Sequence, residues 1–537
     1  MASDLRRREE IAPAPRPRRR RPRVTESRVV FAAALAVYIA VAWWLSSRHL
    51  VPQDAISRSA NGYYTMFSRD PHLAAVGAVW NPLPSLVLLP LLPLASLVPT
   101  LTMDGLVAGV CSALFAATSV AICHDITRRL GLGRASRLTL TALLGLHPMV
   151  LLYAGNGMSE ALFLCTLLLA TRSLLRWFAE DRPERLVSLG AALALAYASR
   201  YEALAPALAA PVAVLVVSWW RTRSGGLALT DAMLAILPPM LAVGLWAACC
   251  KIVDHQWFPT FSSEYGNAAQ VAASRADIDS MTGSALGDRL GYALQQMLGL
   301  QPLVPLVLLV VAVVAVRRRD ARSLAPLAVL GSVLLFDNLA FLMGSSFGWL
   351  RFQITVVPLL VLLVAILLTS PPARSAPPPR RAPRVLALTA GLLAAAAAVP
   401  VTVHTLTDPR LAREESAFLN ADGARRTRYL AGLNLHIGAA IDALDLPDGA
   451  VLTDSAYSYA IILASRKPRQ FVINSDRDFA EILADPKRHH VRYLLVSGNG
   501  PADAVRAAYP RLDATADGTQ SWPDDQGRTL FTLIPVR

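Results

Sequence analysis

The sequence predicts a multi-span α-helical membrane protein of about eleven transmembrane helices that carries a C-terminal soluble α/β domain. Three observations predict it. Of the 537 residues 54% are hydrophobic and 17% charged, with a mean hydropathy of +0.42, so one water-soluble core cannot take up the apolar surface and lipid must solvate most of it. Apolar stretches at 29–47, 104–126, 230–252 and 384–403 approach or exceed the roughly 20 residues that a hydrocarbon core requires. After residue 404 the pattern turns to short strand-like runs alternating with helical ones.

The span count follows from where the arginines fall. Residues 1–28 are rich in Pro and Arg, too polar to fold, and read as a disordered basic cytoplasmic tail. Placing Arg128-Arg129, Arg176 to Arg185, Arg221-Thr222-Arg223, Arg317 to Arg319 and Arg380-Arg381 on that same side is self-consistent. The spans that satisfy it are 29–47, 104–126, 137–154, 159–178, 186–201, 204–220, 230–252, 302–316, 324–343, 352–369 and 384–403. Counting 83–100 as a further span would put every later arginine block on the wrong side, and its prolines at 82, 84, 90, 93 and 99 argue against a regular helix. It is expected to be an outer juxtamembrane or re-entrant segment packed against protein, because lipid-exposed irregular backbone is not viable.

The transmembrane domain is therefore 29–403, with long outward loops at 48–103 and 253–301, and the soluble extracytoplasmic domain is 404–537. Loops of such length are usually functional or disordered, and the aromatic and charged residues of the first argue against disorder. In the C-terminal domain AVLTD, QFVINS, VRYLLVS and TLFTLIPV read as strands, with YSYAIILAS, DFAEILADP and ADAVRAAY as the intervening helices. Asp454 ends the first strand, where α/β folds bind ligands, although a helix-capping role is the commoner one for such a residue.

The net charge of +14 does not point to nucleic acid, since the arginines flank apolar segments and do not line a face with interleaved aromatics. All five cysteines lie in apolar stretches, with neither a disulfide framework nor a zinc spacing. Charge near a membrane core is costly, so ionisable residues at the ends of spans are the informative ones. Four clusters fall on the outward face: Asp54 after the first span, Glu160 in GNGMSEALF, Arg200 and Glu202 around Tyr201, and Arg351 opening the tenth span. Each has a plain structural alternative. Asp54 would cap a helix, Glu160 would answer a helix dipole, Arg200 and Glu202 would pair, and Arg351 would snorkel to headgroups.

In order and topology these residues resemble the GT-C superfamily of membrane glycosyltransferases that use lipid-linked sugars, in particular the family 39-like protein O-mannosyltransferases and aminoarabinose transferases. The resemblance rests on Asp54, then WNPLPSLVLL from Trp80 to Leu89, then Glu160, then LRFQITVVP from Leu350 to Pro358, and covers roughly residues 29–370. It implies a GT-C-like bundle in the plasma membrane that moves a sugar, with inversion, from a polyprenyl-phosphate donor to a hydroxyl on a glycan, lipid or protein acceptor. It also implies Asp54 as catalytic base with Asp70 as runner-up, and Arg351 as the partner of the donor phosphate. Glu160, Arg200 and Glu202 would orient hydroxyls, and Arg69, His72, Trp80 and Asn81 would shape the cavity's lip. The family motif is often Asp-Glu where Ala55 follows Asp54, and its second acid is often Asp where Glu160 stands. A paired carboxylate for a metal is thus missing from the motif, and a divalent cation remains open. The competing expectation is a transporter or lipid flippase, for which Asp337, deeper in its span than the other acids, would serve as a proton relay.

Overall fold

A computed structural model describes residues 26–96, 100–318, 320–369, 398–498, 500, 502–510 and 517–536. The expected tail 1–28 therefore falls almost wholly outside the described residues, as do most of the last expected span, 384–403, and Arg380-Arg381. Seven described helices are long and apolar enough to cross a bilayer: Glu26–Ser46, Leu106–Arg129, Glu160–Glu180, Tyr201–Thr222, Gly225–Val253, Ala321–Leu342 and Leu350–Leu367. Two bent pairs bring the number up to nine. The chain is a helical membrane bundle with a small C-terminal sheet domain.

Differences from the expected eleven have local causes. The expected span 137–154 is two helices, Arg134–Gly145 and Pro148–Gly155, bent by 60°. His147, held extended at φ −61° and ψ 129°, makes the break, because a residue before proline is disfavoured in the α region. The helix Glu184–Ser199 has 16 residues, short for a span standing upright. The expected span 302–316 is one arm of a pair, Leu286–Leu300 with Val304–Arg318, bent by 84°. Residues 83–96 form only short turns of helix, Leu83–Leu86 and Leu92–Ser96, with Leu88 and Leu92 buried against protein.

The two ends of the bundle are chemically distinct. Glu26 binds Arg134 and Arg137, Asp125 binds Arg128, Arg129 and Arg172, Glu180 binds Arg176 and Arg185, and Asp320 binds Arg322. The arginine blocks thus gather at one end with carboxylates to match. The opposite end carries the C-terminal domain.

That domain is a five-stranded sheet, β1 (Val451–Thr453), β2 (Phe471–Val472), β3 (Tyr493–Ser497), β4 (Gln520–Pro523) and β5 (Thr529–Pro535), in the order β2-β1-β3-β5-β4. The first three strands are parallel, with Val451 opposite Phe471 on one side and Tyr493 on the other, while β5 runs antiparallel to both β3 and β4. The central strands are buried apolar runs, as strands covered on both faces should be. The helices Ser455–Ala464, Phe479–Ala484 and Ala504–Ala508 connect them. A longer helix, Ala421–Asp442, joins the sheet to the membrane part. Several polar contacts bind this domain to the bundle. Asp70 accepts from Arg477 Nη2 at 2.6 Å and Nε at 2.9 Å, Arg69 Nε donates to Asp476 at 3.0 Å, and Tyr459 donates to Gln53 at 2.9 Å.

Candidate active site at the domain-bearing end

Four sequence-distant segments bring charge to one point. Asp54 lies in the first turn of the helix Gln53–Phe67, which begins after Pro52 with no side-chain cap, so the capping alternative is not taken up. Glu160 opens the helix Glu160–Glu180. Arg200 is extended (φ −155°, ψ 139°) between Glu184–Ser199 and the turn Tyr201–Ala203, a break that frees its side chain from either helix. Arg351 sits on the single turn Leu350–Gln353 that leads into Val356–Leu367.

Two glycines permit the approach. Gly157 has φ +80°, and a Cβ there would lie 2.8 Å from Ala108 Cβ and 3.1 Å from Ala55 Cβ, so the turn carrying Glu160 rests directly on the helix carrying Asp54. Gly348 has φ +68°, and a Cβ would strike the Phe341 ring at 2.4 Å, which fixes the turn three residues before Arg351.

Arg351 is the hub. Its Nη1 donates to Asp54 Oδ2 at 3.0 Å, and its Nε lies 3.2 Å from Glu414 Oε2 and 3.7 Å from Glu160 Oε1. The guanidinium lies over the Trp349 ring, 4.1 Å from its centroid, a contact that orients a buried cation without neutralising it. Arg200 binds Glu160 through Nη1 and Glu202 through Nη2 at 2.5 Å, so it does pair with Glu202 and also reaches the second outward acid. Arg58, one turn beyond Asp54, lies within electrostatic reach of Asp54 and Glu160 and points Nη1 at Met158 sulfur, 3.7 Å away. Tyr153 donates to Glu415 at 2.7 Å.

Arg351 and Glu160 are almost wholly buried, whereas 47% of the Asp54 side chain is open to solvent. Solvent thus reaches Asp54, at what we call the recess, while the Arg351–Glu160 pair lies buried behind it. Burial works against the charge of Asp54, but Arg351 and Arg58 outweigh it and hold the carboxyl below its usual range. Glu414 differs: burial pushes it up to about 8, the attraction of Arg351 notwithstanding. Burial also raises Glu415. Glu160 Oε2 and Glu415 Oε2 are buried without a hydrogen-bond partner, and Arg351 Nε and Glu414 Oε2 face each other at 3.2 Å without hydrogen-bond geometry, an arrangement that is costly in a structural ion pair. Among the described residues no three His, Cys, Asp or Glu side chains form a metal-ligand set; the carboxylates surround guanidinium groups.

The structure thus brings Asp54, Glu160, Arg200, Glu202 and Arg351 together. Asp70 and the expected lip residues make contacts of their own. Asp70 is held by Arg477, whose hydrogen bonds and charge lower its carboxyl to about 2. Arg69 is taken by Asp476 and Asp478, His72 Nδ1 lies 2.7 Å from the Asp70 carbonyl, Asn81 donates to the Tyr197 carbonyl at 2.5 Å, and Trp80 is partly exposed. Asp454 is a helix cap, accepting from Ala456 N at 2.9 Å, and it also accepts from Tyr265 at 2.7 Å. Asp337 is buried in its span within electrostatic reach of Glu202 and Arg200. Sequence reasoning missed Arg58, Tyr153, Glu414 and Glu415 as members. Arg58 was signalled by its i, i+4 spacing from Asp54 and the glutamates by their nearness to the last span, whereas Tyr153 carried no signal.

Residues 94–246 match the family model of dolichyl-phosphate-mannose-protein mannosyltransferases, a stretch that contains Glu160, Arg200 and Glu202. No curated protein matches the chain. Among solved structures, the chain is similar to the Archaeoglobus fulgidus oligosaccharyltransferase, crystallised with a disulfide-tethered acceptor peptide containing the NVT sequon. The identity is 12% and the TM-score 0.39, over 87% of this chain and 69% of that one. The family match bears out the resemblance to GT-C membrane glycosyltransferases and supports glycosyltransferase activity with a lipid-linked donor.

Proposed function

We propose that this membrane glycosyltransferase moves a sugar from a polyprenyl-phosphate donor to an acceptor hydroxyl, with inversion, on the extracytoplasmic side of the plasma membrane. The observation that carries the reading is the 3.0 Å contact between Asp54 and Arg351, residues 297 positions apart, with Arg351 buried and Asp54 half-open to solvent. A base and a phosphate-binding cation are the two groups such a transfer needs.

Asp54, ionised at neutral pH, accepts the proton of the acceptor hydroxyl. The freed oxygen lone pair attacks the anomeric carbon from the face opposite the phosphate. The bond from that carbon to the phosphate oxygen breaks, its electron pair stays on the oxygen, and polyprenyl phosphate leaves. Arg351 stabilises the developing charge: Asp54 takes one of its five N–H donors, and a guanidinium matches phosphate oxygens in pairs. Glu160, Glu202 and Arg200 orient sugar or acceptor hydroxyls. The donor's tail stays among lipids while its head enters the recess. Asp70 is less suited to the base role, because Arg477 already takes both its oxygens.

Orientation is part of the proposal. The arginine-rich end lies in the cytoplasm by the positive-inside rule, which puts the recess and the sheet domain outside. The acceptor is a cell-envelope glycan, lipid or protein.

The test is transfer from a radiolabelled polyprenyl-phosphate sugar by the purified protein, with Asp54→Asn beside it. Transfer that collapses in the variant supports the reading, and full activity in the variant overturns it. Buried Asp337 favours a second reading, a proton-coupled transporter, which transport without transfer would establish.

A further inference from the structure

The helix Leu286–Leu300 meets the span-like helix Val304–Arg318 at 84°, so when the latter crosses the bilayer the former lies in the membrane plane. Its faces agree. Leu286, Leu290 and Leu294, at i, i+4 and i+8, form an exposed apolar stripe, while Arg289, Ala293, Gln296 and Leu300 are buried against the protein. Leu306 and Leu309 of the adjoining helix are exposed as well, as apolar side chains resting on acyl chains would be.

The buried face makes unusual contacts. Gln296 is 1% exposed, and its side-chain nitrogen donates at 2.9 Å to the Gly348 carbonyl and at 2.7 Å to the Leu411 carbonyl. Gly348 stands three residues before Arg351, and Leu411 three residues before Glu414. Tyr292, one turn earlier, donates to the Arg410 carbonyl at 2.7 Å. One amide group therefore ties together the two backbone segments whose side chains meet 3.2 Å apart in the recess. The Gly348 turn, already fixed by Phe341, transmits that tie directly to the Leu350–Gln353 turn.

We propose that Gln296 is a positioning residue: from a helix lying in the membrane plane, its two N–H groups set the register between the turn bearing Arg351 and the segment bearing Glu414, and so the seat for the donor phosphate. This rests on the reading of Arg351 as the phosphate's partner. A residue that merely filled space would need neither hydrogen, and a residue that only stabilised the fold would affect substrate binding and turnover together.

The experiment uses the full-length protein in detergent micelles or nanodiscs and replaces Gln296 by Met, which keeps the side chain's length and removes both donors. The first readout is hydrogen exchange, which does not depend on activity. Exchange is expected to accelerate in 345–353 and 409–416 while the strands β1 and β3 stay as protected as before. The second readout is transfer, where the KM for a polyprenyl-phosphate sugar is expected to rise about tenfold with kcat within about threefold, the signature of a displaced binding group. Loosened segments in a protein whose wild type transfers no sugar would remove the functional reading and leave the positioning role standing. Unchanged exchange in both segments, or an unchanged KM beside an active wild type, overturns the proposal. So does a fall in kcat and sheet protection together. If Gln296→Met fails to fold, Tyr292→Phe carries the test. It deletes the bond to Arg410, together with the 3.3 Å bond that the Tyr292 hydroxyl accepts from Gln296 Nε2, and should loosen 409–416 more than 345–353, with a smaller rise in KM; no loosening in 409–416 overturns the proposal.

Discussion

The two ends of the bundle both gather ionic groups and use them oppositely. At the arginine-rich end Asp125 is shared by three guanidinium groups and Glu180 by two, all at least partly open to water. Those pairs are screened and satisfied, and they mark a membrane boundary. At the other end Arg351 is buried among Asp54, Glu160 and Glu414, and several of the atoms involved have no hydrogen-bond partner. Buried charge left partly unsatisfied is expensive, so it persists where a ligand completes it. Pairing alone therefore does not reveal function; burial combined with incomplete pairing does.

The sharpest way to break that contrast is Asp54→Asn. Transfer should fall by about 10² to 10⁴, the usual contribution of a positioned base, as read by radiolabelled sugar incorporation. Next is Arg351→Lys, which keeps the charge and loses the fork. The donor KM should rise about tenfold to a hundredfold, from the worth of hydrogen bonds to charged groups.

A third prediction concerns pH. Glu414, raised to about 8, is protonated at neutral pH and becomes a carboxylate competing for Arg351 as pH climbs past that point. Donor KM in the wild type should therefore rise above about pH 8, while Glu414→Gln should give a flat profile. The same shift fixes the sign for stability. Because the folded pKa is raised, the contribution is complete below the ordinary carboxylate range and is lost as pH rises through about 8. Melting temperature should thus decline over that window more in the wild type than in Glu414→Gln.

Smaller effects are expected away from the recess. Asp70→Asn cuts a contact between bundle and sheet domain whose arginine is largely exposed, so transfer should drop less than about tenfold, since such pairs are worth about 0–1 kcal/mol. A loss as large as that of Asp54→Asn would instead make Asp70 the base. Smallest of all, Arg128→Ala at the arginine-rich end should shift stability by less than about 1 kcal/mol and leave transfer unchanged, measured by thermal melting and by the same assay.

Much of this was legible in the chain. Hydropathy runs located the membrane helices because a lipid core demands length, and strand-like runs such as AVLTD and VRYLLVS located β1 and β3 because a doubly covered strand must be apolar throughout. Asp54, Glu160, Arg200, Glu202 and Arg351 stood out because charge beside a membrane core requires a reason. Other features were not legible. The run 302–316 reads as an ordinary span, and nothing in it announces an 84° turn into Leu286–Leu300. The edge strand β4, exposed at all but Trp522 and containing a proline, carries too weak an alternation to be seen. Glu414 and Glu415 look like acids in a polar linker, and only packing brings Glu414 against Arg351 and buries Glu415 against Tyr153.

By itself the sequence determined solvent preference and charge placement: which segments suit lipid, and which ends of them carry arginine, because both depend on local composition. Tertiary structure alone decided which charges meet. Asp70 and Asp54 are sixteen residues apart and alike in sequence setting, yet one is consumed by Arg477 and the other faces Arg351. An ion pair forms over a few ångströms between residues that sequence separates by hundreds, and that distance is set by how helices and turns pack, as at Gly157, Gly348 and Gln296.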